Sequence, residues 1–391
     1  MKKRLCIYII FDKEKKIDKY IQTVLKGIRE HVSSVMVVCN FESAVSGLEY
    51  ITDYADEILY RENKGYDSGA YKDTIEYLGD VLEEYDELLL ANDTFYGPFD
   101  SFDDMFKRMD EDECDYWGIT RHPAGRWTDG YLYNSHIQSY FIVYKERILR
   151  SSDFANFWCD LKYPVSYEEA IINYEFALNQ YFAEKNFVGK AYMDFVALEY
   201  SYQYSQNPCI VNAYELIKDY GIPILKRRSL DFNNQGCANA IKALGYIRDN
   251  TRYNYLLILE HIKRLQNVKT FTPTFEFVEL EKFVAKHKKI YIYGNGCCGK
   301  AIAAFFSFNN WGYVCHVVTD NSNEDCKMFS EIDVEDQDGI VIAITNREAI
   351  DEVYHNVRMR CKEEQIFKPN YSDLLGLQVQ GDQYDRTTIS K

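Results

Sequence analysis

The chain has 391 residues, with 61 acidic against 45 basic side chains and a net charge of −16, which argues against a general nucleic-acid binder. No run of about 18 apolar residues occurs, and the opening MKKRLCIYII gives way at once to Phe11-Asp12-Lys13, so neither a spanning helix nor a signal peptide is expected. Eleven cysteines without paired spacing exclude a disulfide framework or zinc ribbon and point to a reducing cytoplasm. The length admits two or three domains, each with its own core.

In chain order, Leu5–Phe11, Val35–Cys39 and Glu57–Tyr60 read as buried strands, and Ile17–His31 as a helix with apolar residues at helical spacing. A polar turn of Asn63, Gly65, Asp67 and Gly69 opens a second helix. The apolar strand Glu87–Ala91 then ends abruptly in Asn92-Asp93-Thr94. This βαβ repeat predicts a mostly parallel α/β sheet with helices on its faces, in which ligands collect beyond the carboxyl ends of the strands. Asp115–Ile119 and Gln138–Tyr144 add strands.

Tyr167–Glu184 predicts a helix with an apolar stripe through Ile171, Tyr174, Leu178, Tyr181 and Phe182, and Glu175 lies on or beside that stripe. Such a carboxylate either has a partner or has a raised pKa, and the second suits a general base. Lys226-Arg227-Arg228 forms a compact basic cluster, Tyr253–Leu265 a helix and Thr270–Pro273 a turn. From Lys289 a new unit begins. Strand Ile290–Tyr293 leads through Gly294-Asn295-Gly296-Cys297-Cys298-Gly299 into helix Lys300–Asn309, and strand Val314–Thr319 ends at Asp320, the order of a dinucleotide fingerprint. The expected division is residues 1–230, a helical linker at 231–285, a Rossmann-like domain at 286–377 and a polar tail at 378–391.

An acidic strand end suits Mg²⁺ or Mn²⁺ held against a diphosphate, because hard cations take oxygen ligands and neutralise a leaving group. Here only Asp93 is charged, with Asn92 beside it, so metal-dependent and cation-clamp chemistries both stay open; a plain turn or helix cap is the third reading. Five ordered motifs carry a resemblance: Asn63–Tyr71, Ala91–Pro98, Trp117–Thr120, His136–Phe141 and Gly221–Arg227. Over roughly residues 5–230 the chain closely resembles the rhamnan synthesis protein F family.

The resemblance implies a GT-A-like glycosyltransferase of bacterial cell-surface polysaccharide assembly, using a nucleotide-sugar donor such as dTDP-rhamnose and a glycan or lipid-linked glycan acceptor. It implies a cytoplasmic protein, peripheral at the inner face of the membrane. By position it places Asp93 and Asn92 at the metal and diphosphate, and Arg61, Asn63, Asp67 and Thr94 beside nucleotide and sugar. His136 and Gln138 would face the acceptor, and Glu175 would deprotonate its hydroxyl in an inverting transfer. Lys226, Arg227 and Arg228 would clamp the diphosphate, attract an anionic lipid headgroup or form a solvated turn. The appended Rossmann-like domain would take an unidentified nucleotide at Gly294, Gly296, Gly299 and Asp320, or none. Two rivals remain: an NAD-dependent sugar-nucleotide oxidoreductase working through that domain, and a non-catalytic assembly scaffold.

Overall fold

The computed structural model describes residues 2–126, 131–195, 207–230, 236–266, 277–320, 326–344 and 347–368. The turn expected at Thr270–Pro273 and the tail from Gln378 lie outside the described residues. Two compact units result, one carrying the chain through Pro208 with Ile222–Ile224, the other Cys209–Gly221 and the chain from Leu225.

The first unit is built on one mixed sheet. Its strands are Arg4–Ile10 (β1), Ser34–Cys39 (β2), Glu57–Tyr60 (β3) and Glu87–Asn92 (β4), then Tyr116–His122, His136–Ile137, Phe141–Tyr144 and Gly189–Asp194. Between β4 and the next sheet strand lies a short strand, Phe95–Tyr96 (β5), so Tyr116–His122 is β6. A small hairpin follows, Gly125–Arg126 (β7) with Leu132–Tyr133 (β8), making His136–Ile137 β9, Phe141–Tyr144 β10 and Gly189–Asp194 β11.

The order is β11-β6-β10-β4-β1-β2-β3, with β9 beside β6. All pairs are parallel except those of β10 and β9. Because β10 runs against both β4 and β6, those two strands point the same way and their carboxyl ends share an edge with those of β1, β2 and β3.

Burial explains why the first strands read so clearly. All seven residues of β1 are buried, since central strands of such a sheet are covered on both faces and need no polar alternation. On one face Leu5, Ile7, Ile9, Leu88 and Leu90 pack with Tyr71, Trp158, Leu178 and Phe182 from three helical segments. At the opposite end of the strands, Arg4 is buried against Glu87 with its Nε 2.7 Å from the carboxylate, so the ion pair is also hydrogen-bonded. The edge strand β11 escapes the sequence reading because it is mostly half-buried and shows no clean alternation.

Helix Tyr167–Glu184 contains a π-helical stretch over Ile171–Phe176, between α-helical turns at Tyr167–Ala170 and Ala177–Glu184. Tyr174, Leu178 and Phe182 keep the core side of the stripe; Ile171 and Tyr181 are only partly covered.

In the second unit a short strand, Leu225–Lys226 (β12), precedes a five-stranded parallel sheet of Lys289–Tyr293 (β13), His316–Val318 (β14), Cys326–Met328 (β15), Asp338–Ile342 (β16) and Ile366–Phe367 (β17). Its order, β15-β14-β13-β16-β17, places the first sheet strand centrally and reverses direction beside it, the plan of a doubly wound sheet.

The expected linker is part of this unit. Helix Cys237–Asn250 packs on helix Cys297–Phe308, and Arg248 donates to the Phe308 carbonyl at 2.6 Å. Residues Cys209–Gly221 join it as well, with Asn239 accepting from Tyr214 N and donating to Glu215, each at 2.7 Å. Among the described residues, no helix is long and apolar enough to cross a membrane.

Candidate functional site

The turn before helix Tyr66–Leu78 is braced from within. Arg61 spreads its guanidinium over Asp73, at 2.9 Å from Nε, Asn40, at 2.6 Å, and the Lys64 carbonyl, at 2.8 Å. A planar fork with donors in fixed directions suits three partners at once. Asn40 in turn donates to the Tyr66 carbonyl at 3.3 Å. Arg61 therefore shapes the turn from within.

Gly69 lets the helix close on this turn: a Cβ there would stand 2.2 Å from the Lys64 carbonyl oxygen. Gly69→Ala is expected to lower stability by about 2 kcal/mol, read as a lower urea midpoint with unchanged slope. Asn63 is half-buried on the same turn.

The turn delivers Asp67 to the strand-end triplet. Asn92 donates from Nδ2 to Asp67 Oδ2 at 2.7 Å, and its Oδ1 accepts from Thr94 N at 3.2 Å and Thr94 Oγ1 at 2.7 Å. Both ends of the carboxamide are thus in use. Asp93 is buried, its Oδ2 accepts from Phe11 N at 3.3 Å, and its carbonyl accepts from the Tyr20 hydroxyl at 2.8 Å. Asn92 does not fit the expected metal role, because the one oxygen it could offer already serves two donors. Among the described residues, the only cluster of three His, Cys or acidic groups close enough to share an ion is Glu30, His31 and Asp103, which includes none of these residues.

The segment Gln138-Ser139-Tyr140, between β9 and β10, joins this cluster to the expected acceptor side. The Tyr140 carbonyl accepts from Asn92 N at 3.2 Å, while Ser139 donates to Glu175 Oε2 from N at 2.7 Å and from Oγ at 2.5 Å. Buried Gln138 accepts from Thr120 Oγ1 at 2.8 Å. Glu175 Oε1 faces His136 Nε2 at 3.3 Å, and His136 Nδ1 faces the Asn134 carbonyl at 2.9 Å. Asn179, one helical turn beyond Glu175, holds β9 in place by bonding both the N–H and the carbonyl of Ile137, at 2.8 and 3.0 Å.

Burial pushes the Glu175 carboxyl up, but the hydrogen bond and charge of His136 and the two bonds from Ser139 outweigh it and hold the group at about 2. Of the two states open to such a carboxylate, this is the partnered one. Glu175 is the compensated alternative, ionised and filled with donors. Its π-helical stretch also presents Phe176, whose ring lies 4.6 Å from His136 and 5.0 Å from Tyr133.

Sequence reasoning missed Ser139, Asn179 and His122 as members of this cluster. Ser139 sat inside a quoted motif, and Asn179 four residues after Glu175. His122 had no signal short of the β6–β9 register that sets it opposite His136.

Lys226 and Arg227 lie in the second unit, on β12 and the turn after it. There also, Gly294 has φ +119° and its hydrogen lies toward the Ala343 carbonyl, where a Cβ would come within 2.5 Å, so the turn requires glycine. His316 Nδ1 faces the Gly294 carbonyl at 2.8 Å, Gly296 and Gly299 lie at the start of helix Cys297–Phe308, and Asp320 stands exposed after β14.

A mixed, mostly parallel sheet with a polar cluster at its strand ends defines an open α/β protein. The family model described as rhamnan synthesis protein F matches residues 35–351, and the chain belongs to that family. It is 27% identical over 157 residues to uncharacterized protein y4gN of Sinorhizobium fredii, covering 39% of this chain and 40% of that one. Virulence protein VirA of Vibrio anguillarum is 25% identical over 188 residues, 47% of this chain and 57% of that one. The chain thus spans about half the length of the curated relatives it matches. Among solved structures, 4-diphosphocytidyl-2C-methyl-D-erythritol synthase from Anaerococcus prevotii aligns over 52% of this chain and 94% of its own, at 11% identity and a TM-score of 0.32.

Proposed function

We propose that the first unit is an inverting glycosyltransferase that moves a deoxyhexose, rhamnose in the favoured case, from a nucleoside diphosphate onto a growing surface glycan. The observation that supports it most is the continuity of the strand-end cluster. Asn92, which holds Asp67, bonds Tyr140, and Glu175, which faces His136, bonds Ser139 next to it in the same segment. A two-substrate transfer needs two half-sites held in fixed relation, and a rigid sheet edge supplies that relation.

Asp67, in the first turn of its helix, and Asp93 are the acidic groups of the donor half. The donor set does not fit a paired-carboxylate metal site, so no step here passes through a metal. The family description supports the choice of rhamnose and of a polysaccharide acceptor. A lipid-linked acceptor would bring the protein to the inner face of the membrane. The second unit we assign to nucleotide binding at Gly294, Gly296, Gly299 and Asp320.

A panel of nucleotide sugars that includes dTDP-rhamnose tests the reading through thermal shift and release of nucleoside diphosphate. One donor is expected to raise the melting temperature and to be hydrolysed slowly without acceptor. Silence toward every donor would sink the transferase, and a shift with NAD alone would favour the oxidoreductase.

A further inference from the structure

Strand β6 ends in His122, and β9 pairs with it so that His122 and His136 stand directly opposite. Their rings stack 5.0 Å apart and 8° from parallel. His122 Nδ1 lies 2.7 Å from the Pro123 carbonyl. A carbonyl only accepts, so Nδ1 carries the hydrogen and donates it, and the tautomer is fixed. The lone pair is then on Nε2, which has no hydrogen-bond partner among the described residues.

Glu175 offers the opposite picture. One of its oxygens already accepts two hydrogen bonds from Ser139 and the other faces His136, so taking a proton would break bonds that favour the ionised form. His122 also stands at the right edge. Strands β4 and β6 run in the same direction on either side of β10, and the register sets Asn92 level with Thr120, two residues before His122, so two strand spacings and two residues of rise separate Asn92 from His122 by about 12 Å. A sugar held at the Asp67–Asn92 cluster is within reach of an acceptor bound against His122.

We propose that His122 Nε2, and not Glu175, takes the proton of the acceptor hydroxyl, an assignment that rests on the transferase function proposed above. As the acceptor oxygen forms its bond to the anomeric carbon, its proton passes to Nε2, and the bond from that carbon to the diphosphate breaks. The nucleoside diphosphate leaves with the electron pair, and the imidazolium later returns its proton to water. Glu175 and His136 are positioning residues: the carboxylate holds the His136 ring, and that ring supports His122 from one face.

The groups facing His122 are His136 from β9, Glu175 from the π-helical stretch and Tyr133 from β8. Burial lowers its pKa, the charge of His136 lowers it further against the smaller opposing effects of the Pro123 carbonyl and Glu175, and it stands at about 4, so the ring is neutral near pH 7.

Diethyl pyrocarbonate, which acylates unprotonated imidazole, reads this state without any turnover. With the full chain labelled between pH 3.5 and 7.5 and analysed by mass spectrometry, His122 is expected to label down to about pH 5 and to lose reactivity through about pH 4. Protection of His122, or loss through the ordinary histidine value of about 6.5, overturns the assignment.

In transfer assays with dTDP-rhamnose and a glycan acceptor, His122→Gln is expected to lose on the order of 10²–10⁴ in kcat while keeping the donor-induced thermal shift. The wild-type rate should fall at low pH with an apparent pKa near 4, and Glu175→Gln should keep that limb. A limb that disappears in Glu175→Gln, or wild-type transfer by His122→Gln, overturns the proton-acceptor role alone. A wild-type chain that labels at His122 yet turns over no donor overturns the transferase reading and this role with it.

Discussion

Asn92→Asp is expected to destabilise the first unit by about 3 kcal/mol at neutral pH, because it replaces a 2.7 Å hydrogen bond to Asp67 with two facing carboxylates. Thr94 loses nothing in this exchange, since a carboxylate oxygen accepts as readily as the amide oxygen it replaces. The loss therefore isolates the Asp67 contact. Lowering the pH lets one carboxyl take a proton and donate to the other, so the deficit should shrink as the pH falls.

Millimolar Mn²⁺ should stabilise the variant more than the wild type, since the substitution sets a second carboxylate against Asp67. Urea midpoints with and without the ion measure both effects. A variant as stable as the wild type would mean that Asn92 does not hold Asp67 in solution.

The second large effect concerns Glu175. Its folded-state value of about 2 lies below the reference of 4.5, so it contributes stability that is present above about pH 4.5 and lost as pH falls toward about 2. The contribution is about 3 kcal/mol at pH 7. Glu175→Gln removes it. The variant should be less stable than the wild type at pH 7, and the gap should narrow between pH 4.5 and 3 as the wild-type carboxylate protonates. Urea unfolding at pH 7, 4 and 3 gives the comparison, and a gap that stays constant with pH would show that His136 and Ser139 do not hold the carboxylate as described.

These predictions fall on contacts that no stretch of sequence displays by itself. The strand-end triplet, the glycine-bearing turn and the Gly294–Gly299 fingerprint were legible because each is local. Strand β1 is apolar at nearly every position, the triplet follows an apolar run, and the turn residues have conformational or capping reasons to stand where they do. Strands β1 to β4 were legible for the same reason.

What sequence spacing left open was the state of each polar group. Glu175 beside an apolar stripe was compatible with a raised or a compensated carboxyl. The choice depended on Ser139 and His136, some forty residues earlier, being carried to the same sheet edge. Asn92 looked like half of a metal site until Asp67 was seen to hold its Nδ2 and Thr94 its Oδ1.

By itself, then, the sequence determined a mostly parallel sheet, its strand-end loop and the family. Buried strands and glycine turns are written in the periodicity and composition of short segments. The tertiary structure alone decided the domain assignment of Cys209–Gly221, the ionised state of Glu175 and the pairing of His122 with His136. Each of these depends on contacts between distant segments, where burial, register and the supply of hydrogen-bond donors are set by strands that meet only in the folded sheet.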